Sequence, residues 1–122
     1  MELKLLKSKI HRATVTAANI DYVGSIAIDR DLMDAVGIIA NEVVLVANVT
    51  NGTRHETYVV PAERGSGEIG VMGAAAHLVS AGDLVIIMAF ANLTPDEAQT
   101  HQPKVAIVDQ NNKITTLTSY HP

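Results

Sequence analysis

The sequence predicts a single, mainly β domain with a few short helices. Segments rich in Val and Ile recur between turn residues, a pattern typical of buried strands. With 122 residues, of which 48% are hydrophobic and 18% charged, the chain is long enough for one core and too short for two. We therefore expect one domain over residues 1–122. A domain of this size leaves much of its surface uncovered, so self-association is also expected.

Strands are predicted wherever a Val- and Ile-rich run lies between turn residues. Asn51-Gly52 is the strongest turn signal, because both residues tolerate the positive φ angles that a type I′ hairpin needs. The flanking runs 43–49 and 54–60 should therefore pair. The other predicted strands, the last two forming a second hairpin, cover 10–15, 84–90, 104–109 and 114–118.

Alternation along these strands divides the polar residues between faces. In the strand 54–60, a period of two places Arg54 and Tyr58 on one face and Thr57 on the other. In the first strand, the residues expected to share a face are Lys9, His11, Ala13 and Val15. The two strands thus present several candidate functional groups.

Three short helices are predicted from their end signals. The segment 31–36 has an acidic first turn and Gly37 as a stop. A second helix is expected over 74–79, where small residues dominate. Thr94-Pro95-Asp96-Glu97 combines a capping box with proline at the first helical position, which predicts a third helix.

Composition excludes several classes of function. A formal net charge of -4 and few aromatic residues argue against sequence-independent binding of nucleic acid. The chain has no cysteine, and its five histidines show no metal-ligand spacing, so we expect no metal. The N-terminus does not resemble a signal peptide, and no run approaches about 18 apolar residues. We therefore expect a cytoplasmic protein without a membrane partner.

Six segments, taken in order, carry the main functional signal. They are Lys9-Ile10-His11-Arg12-Ala13-Thr14-Val15-Thr16, Asp21-Tyr22-Val23-Gly24-Ser25, Asn51-Gly52, Glu63-Arg64-Gly65-Ser66-Gly67, Gly73-Ala74-Ala75-Ala76-His77 and Gly82-Asp83-Leu84-Val85-Ile86-Ile87. In order and spacing they closely resemble bacterial aspartate 1-decarboxylase over nearly the whole chain. Alone, Gly24-Ser25 would indicate an ordinary turn, so the linked segments carry the specificity.

The resemblance implies a double-psi β-barrel that forms a homotetramer with sites at subunit boundaries. Members of the family cut themselves before a serine, which becomes a pyruvoyl group. Here the cut would fall between Gly24 and Ser25 and give a short chain, 1–24, and a longer one, 25–122. The pyruvoyl group from Ser25 would be the cofactor, with no metal and no pyridoxal phosphate. The implied reaction converts L-aspartate to β-alanine and CO2 for pantothenate biosynthesis, and a maturation factor is a further possible partner.

These residue types suit that chemistry. Gly24 lacks a Cβ that would obstruct attack by the Ser25 hydroxyl, and glycine tolerates strained backbone. Loss of CO2 from an amino acid leaves a carbanion that needs an electron sink, and a ketone joined to the substrate amine provides one.

The resemblance also assigns roles to individual residues. Tyr58 matches the family's proton donor, and Thr57 matches the residue that activates the Gly24 carbonyl during cleavage. Tyr22, three residues before the serine, is a weaker candidate for packing or hydrogen bonding near the cut. The positions that match substrate-binding residues are Lys9, His11, Arg54, Gly73, Ala74 and Ala75.

One departure from the family pattern bears on activity. Met72 stands where the family usually has Asn, and a thioether cannot donate a hydrogen bond to a developing oxyanion as an amide can. Two alternatives to the active enzyme therefore stay open. One is a processing-defective homologue that keeps the barrel and tetramer, and the other is a non-catalytic double-psi barrel used as a binding module.

Overall fold

The computed structural model describes residues 1–119, and the last three residues of the predicted domain, 120–122, lie outside the described residues. The described part is one mainly β domain. Its helical elements are α1 (Arg30–Val36), α2 (Pro95–Ala98) and a 3-10 turn (Gly73–His77). The strands are β1 (Leu3–Thr14), β2 (Ala17–Asn19), β3 (Ser25–Asp29), β4 (Val43–Asn48), β5 (Arg54–Ala62), β6 (Ile69–Met72), β7 (Leu84–Leu93), β8 (Lys104–Val108) and β9 (Ile114–Thr118).

The strands follow the order β2-β6-β3-β5-β4-β7-β1-β8-β9. β1 and β2 are consecutive in the chain but lie far apart in the strand order. The two residues that link them form backbone hydrogen bonds to distant parts of the chain. Val15 N donates to Asp83 O at 2.9 Å, and Thr16 N donates to Ile69 O at 2.8 Å. The result is the double-psi β-barrel that the resemblance implies.

Branched aliphatic side chains fill the interior of the barrel. Ile10, Ile26, Val59 and Ile87 are each 0% exposed and belong to one core cluster. They alternate with outward-facing residues along their strands, so the core also fixes which side chains reach the outer face.

Local sequence signals place most elements correctly. Both predicted hairpins form antiparallel pairs, β4 with β5 and β8 with β9, and the strand expected over 84–90 extends to Leu93. Helix α1 ends at Gly37 in the left-handed conformation. The predicted capping box of α2 joins Thr94 and Glu97. Among the described residues, no helix has both the length and the apolar character needed to cross a membrane.

The turn at Asn51-Gly52 is not of type I′. Gly52 has a φ of +79°, but Asn51 is not among the residues with positive φ. The side chain of Asn48 organises the loop instead, because its Oδ1 accepts from Thr50 N at 2.8 Å and from Asn51 N at 3.3 Å. The hairpin prediction is confirmed, whereas the predicted turn type is wrong.

The helix expected over 74–79 is the 3-10 turn Gly73–His77. The Leu78 carbonyl accepts a hydrogen bond from Asn51 Nδ2 at 2.9 Å. This contact with a distant loop competes with further helical turns, which the run of alanines would otherwise favour.

β1 begins at Leu3, well before the predicted start at residue 10, and contains a bulge. Its register on β7 shifts between Ile10 and Ala13, and Arg12 has a φ of +62°. The bulge turns the side chain of Ala13 into the core beside Ile10, whereas the side chain of Lys9 points away from the core. The single face predicted for four residues of this strand is therefore wrong: the bulge divides Lys9 and His11 from Ala13 and Val15.

Candidate active site

Ser25 is the first residue of β3 and follows an exposed segment. It is 7% exposed, whereas Tyr22 and Val23 are 64% and 79% exposed. Ser25 Oγ donates to Val23 O at 3.4 Å. This hydrogen bond is long and therefore weak. It therefore holds the Ser25 hydroxyl only loosely in this orientation.

β5 brings Tyr58 beside Ser25. β3 and β5 form a parallel pair in which Ile26 lies opposite Val59. Ser25 and Tyr58 immediately precede this pair, so they are neighbours on strands about 4.8 Å apart. Because Ile26 and Val59 point into the core, alternation turns the side chains of Ser25 and Tyr58 to the outer face.

Thr57 points to the opposite side of β5. Its partner on β4, Val44, is 1% exposed, whereas Val43, the partner of Tyr58, is 58% exposed. The alternation predicted for this strand is therefore confirmed. If the register with β3 is extended by one residue, Thr57 lies level with Gly24, next to the peptide bond expected to be cut.

Gly73 lies against the backbone of Gly24, the residue before that peptide bond. It has a φ of +82°, and a Cβ at this position would lie 2.5 Å from Gly24 Cα and 2.7 Å from Gly24 N. Gly24 itself does not have a positive φ, and an added Cβ there would meet only Met72 O at 3.9 Å. Gly24 therefore does not use the left-handed region that glycine tolerates, and the close approach depends on the glycine at position 73.

A mostly apolar, open pocket of about 310 Å³ lies beside Ser25. Met72 pairs with Ser25 across β6 and β3. Its Cε would lie 2.8 Å from a Cβ on Gly70, so the thioether folds back over that glycine. The lining residues are Tyr22, Val23, Ser25, Ala27, Val60 and Met72.

Lys9, His11 and Arg54 lie away from Ser25 in the same chain. β1 is four strands from β3 in the strand order, so Lys9 and His11 are not on a strand next to that of Ser25. Arg54 shares a face with Tyr58 but lies four residues before it, about 13 Å along β5. One chain therefore brings together only part of the predicted site.

Lys9 is 8% exposed although it points away from the core. It pairs with Met88 on β7 and Val105 on β8. Burial away from water lowers the pKa of the Lys9 ammonium group. Such a group attracts a carboxylate more strongly than a fully hydrated one does, because there is less water to screen the charge.

The remaining predicted residues follow Gly73. Ala74 is exposed and Ala75 half-buried within the 3-10 turn. The predicted site omits Val23, Ala27 and Val60, which also line the pocket. Alternation could have identified Ala27 and Val60, because each lies two residues after a predicted site residue on the same strand. Among residues 1–119, no group of three or more His, Asp or Glu is placed to hold a metal ion.

Comparison with known proteins gives a consistent assignment. The family model described as aspartate decarboxylase matches residues 1–115. Aspartate 1-decarboxylase of Caldicellulosiruptor saccharolyticus is 60% identical over 119 residues, covering 98% of this chain and 93% of the relative. The enzyme of the same name from Clostridium acetobutylicum is 55% identical over 120 residues, with 98% and 94% covered. That from Bacillus licheniformis is 52% identical over 118 residues, with 97% and 93% covered. The chain belongs to the aspartate decarboxylase family.

Proposed function

We propose that this chain decarboxylates L-aspartate to β-alanine and CO2 with a pyruvoyl group made from its own Ser25. The reaction supplies β-alanine for pantothenate biosynthesis. The observation that carries the proposal is that Ser25, Tyr58 and Gly73 lie close to the Gly24–Ser25 peptide bond, beside a pocket. The full-length similarity to enzymes named for aspartate decarboxylation supports the same reaction.

Self-cleavage begins when Ser25 Oγ attacks the carbonyl carbon of Gly24. The amide becomes an ester, and the hydroxyl proton passes to the freed nitrogen. Removal of the Ser25 α-proton then expels the Gly24 carboxylate from the Ser25 β-carbon and leaves dehydroalanine. Water hydrolyses this group with release of ammonia, which leaves a ketone at position 25. The products are the chains 1–24 and 25–122.

The surroundings of residue 25 fit a pyruvoyl group. β3 pairs with β5 and β6, so the new chain end would stay anchored after the cut. The pocket leaves space for a small amino acid beside it. The pyruvoyl ketone supplies the electron sink for the carbanion that CO2 leaves behind. In this proposal Tyr58, on the same outer face, gives a proton to that carbanion, and Thr57 activates the Gly24 carbonyl before the cut.

In this proposal, a neighbouring subunit of a homotetramer also binds the substrate. The residues that it contributes are Lys9, His11 and Arg54. Their places in the strand order and along β5, away from the strand pairs that hold Ser25, support a shared site. The exposed apolar side chains near the cut also favour burial by another subunit. These are Ile20, Tyr22 and Val23, which are 52%, 64% and 79% exposed.

The substrate presents two carboxylates to this site. The planar guanidinium of Arg54 is suited to hold the side-chain carboxylate through two parallel hydrogen bonds. The small residues Gly73, Ala74 and Ala75 leave their backbone open to the other end of the substrate. Lys9 adds positive charge that offsets the two carboxylates.

Intact mass spectrometry of the purified protein tests the proposal. We expect two fragments, 1–24 and 25–122, with the second lighter by one ammonia than a chain that begins with serine. Borohydride reduction in the presence of labelled aspartate should attach the label to residue 25. Ser25→Ala is the control, because alanine has no attacking oxygen and should give one uncut species without activity.

A processing-defective homologue is the second candidate, and Met72 is the observation that favours it. In that case the 13.0 kDa chain should persist after prolonged warming, and no β-alanine should form. Cleavage that starts only after cell extract is added would instead indicate a maturation factor.

A further inference from the structure

We infer that Gly73 is a positioning residue for self-cleavage, because its bare backbone sets the place of the segment 22–24 relative to the Ser25 hydroxyl. This inference rests on the proposed function, since it concerns the same peptide bond. It assigns to Gly73 a role that precedes any binding of substrate.

The contact involves backbone on both sides. A Cβ on Gly73 would lie 2.5 Å from Gly24 Cα, 2.7 Å from Gly24 N and 3.1 Å from Tyr22 O. Ordinary van der Waals contact of a Cβ begins at 3.4 Å, so the shortest of these would have to lengthen by 0.9 Å (3.4 minus 2.5). Backbone atoms do not yield as the end of a flexible side chain does, so Gly24 or Gly73 would be displaced.

The nucleophile and its target are held by the same pair of strands. Ser25 pairs with Met72 in the antiparallel β3–β6 ladder, and Gly73 follows Met72 directly. The ladder thus fixes the backbone of the attacking residue, and the next residue of the opposite strand fixes Gly24. A misplacement of about 1 Å between reacting groups can slow a reaction about a hundredfold.

Two other glycines provide matched controls. Gly52 and Gly65 have φ angles of +79° and +77°, and a Cβ added at either would meet nothing within 4 Å. Alanine there bears backbone strain similar to that at position 73 but gains no contact. We expect Gly73→Ala to form the fragment 25–122 about a hundredfold more slowly, and Gly52→Ala and Gly65→Ala to cleave at the parental rate. Circular dichroism and the thermal midpoint verify that each variant is folded.

Hydroxylamine separates positioning from general destabilisation, because it cleaves esters readily and amides poorly. It should speed fragmentation of the parent by capturing the Ser25 ester, and it should not speed that of Gly73→Ala, in which the ester rarely forms. A folded Gly73→Ala protein that cleaves like the two controls would overturn the inference.

Ala74→Gly keeps the inference testable if Gly73→Ala does not fold. This change adds no atoms but loosens the backbone that holds Gly73, so cleavage should slow severalfold, and an unchanged rate would contradict the inference. Failure of the parent to cut between Gly24 and Ser25 would instead remove the proposed function itself.

Discussion

Beside Ser25, the chain carries a thioether at position 72. Met72 pairs with Ser25, and its side chain folds over Gly70. Met72→Asn would place an amide donor near the oxyanion that forms at Gly24 during attack. We expect this variant to cut itself about tenfold to a hundredfold faster than the parent, because donors of this kind contribute about that much or more. Time-resolved intact mass measurement gives the two rates.

Met72→Leu is the control for position 72. Leucine has a similar volume and no donor, so its cleavage rate should stay close to that of the parent. Equal rates for the Asn and Leu variants would show that hydrogen bonding from this position does not assist the cut.

His55 has a buried ring nitrogen, Nε2, for which no hydrogen-bond partner is found among the described residues. It pairs with Val46, a core residue that is 1% exposed. Burial lowers the pKa of His55 below its usual value. The unfolded chain therefore binds a proton more readily than the folded one, so stability is lost as the pH falls below about 6.5.

His55→Leu should remove this acid sensitivity. We expect the free energy of unfolding to rise by about 1 kcal/mol at neutral pH, because an unsatisfied buried nitrogen disappears. The rise should be larger near pH 5.5 than near pH 7.5, values on either side of the usual histidine pKa of about 6.5. Urea titrations of parent and variant at both pH values measure it. Parallel losses of stability in the two proteins would show that His55 does not titrate on unfolding.

At this scale the resemblance predicts Ser25, Thr57 and Tyr58 as site residues, and alternation separates the latter two correctly. The contact between Gly73 and Gly24 cannot be predicted from the sequence. That contact depends on how the end of β6 meets a loop almost fifty residues earlier in the chain, which no local pattern encodes.

Strand β3, which begins with Ser25, ends at a buried acid, Asp29, which is 2% exposed. Its carboxylate accepts hydrogen bonds from the N–H groups of Asp31 at 2.9 Å, Gly65 at 3.1 Å and Gly67 at 2.9 Å. Burial alone would raise the pKa of Asp29. The three backbone donors, aided by the charge of Lys113, outweigh burial and lower the pKa.

Asp29→Asn should therefore destabilise the end of β3, the cap of α1 and the loop 63–68 together. We expect a loss of about 1–3 kcal/mol at neutral pH, because one oxygen that accepts from buried N–H groups is replaced by a donor. The stabilisation in the parent is present above the unfolded carboxyl pKa of about 3.9 and is lost as the pH falls through the lower folded value. Chemical unfolding measures both effects.

Asp34→Asn serves as the control for this element. The Asp34 side chain is 58% exposed and pairs with Arg64 at the surface. Its removal should change stability by no more than about 0.5 kcal/mol. Equal losses for the two asparagine variants would contradict the anchoring role of Asp29.

Elements with local signals are predictable, and those shaped by distant contacts are not. Gly37 and the Thr94–Glu97 box carry their end signals within a few residues, so both helix ends follow from the sequence. The bulge in β1 is different, because the backbone of Thr14 is held on both sides by Asn112, which donates to its carbonyl at 2.9 Å and accepts from its N–H at 2.8 Å. That partner lies almost a hundred residues away.

For the whole molecule, a mainly β domain follows from composition and periodicity, whereas the strand order does not. The order places Lys9 on β1 and Ser25 on β3, four strands apart. Two residues expected in one pocket therefore belong to different regions of the chain. The proposed function resolves this by letting subunits share the site, so assembly is part of that proposal.

Co-expression of two inactive chains tests that sharing directly. Lys9→Ala keeps Ser25 and Tyr58 but loses the ammonium group, whereas Ser25→Ala keeps Lys9 but makes no pyruvoyl group. If Lys9 acts on the neighbouring subunit, random mixing in a symmetric tetramer should restore activity to about a quarter of the parental value, because half of the reactive chains then meet a neighbour with Lys9. β-Alanine formation by the purified mixture measures the recovery.

Ser25→Ala co-expressed with Tyr58→Phe provides the matched control. Ser25 and Tyr58 lie side by side on β3 and β5 of one chain, so no site in this mixture would contain both, and activity should stay absent. Recovery here would place Tyr58 across the boundary. The contrary outcome is a mixture of Lys9→Ala and Ser25→Ala chains that stays inactive while the parent is active. That result would show that the neighbouring subunit does not supply Lys9, because every other component of the shared site would then be present.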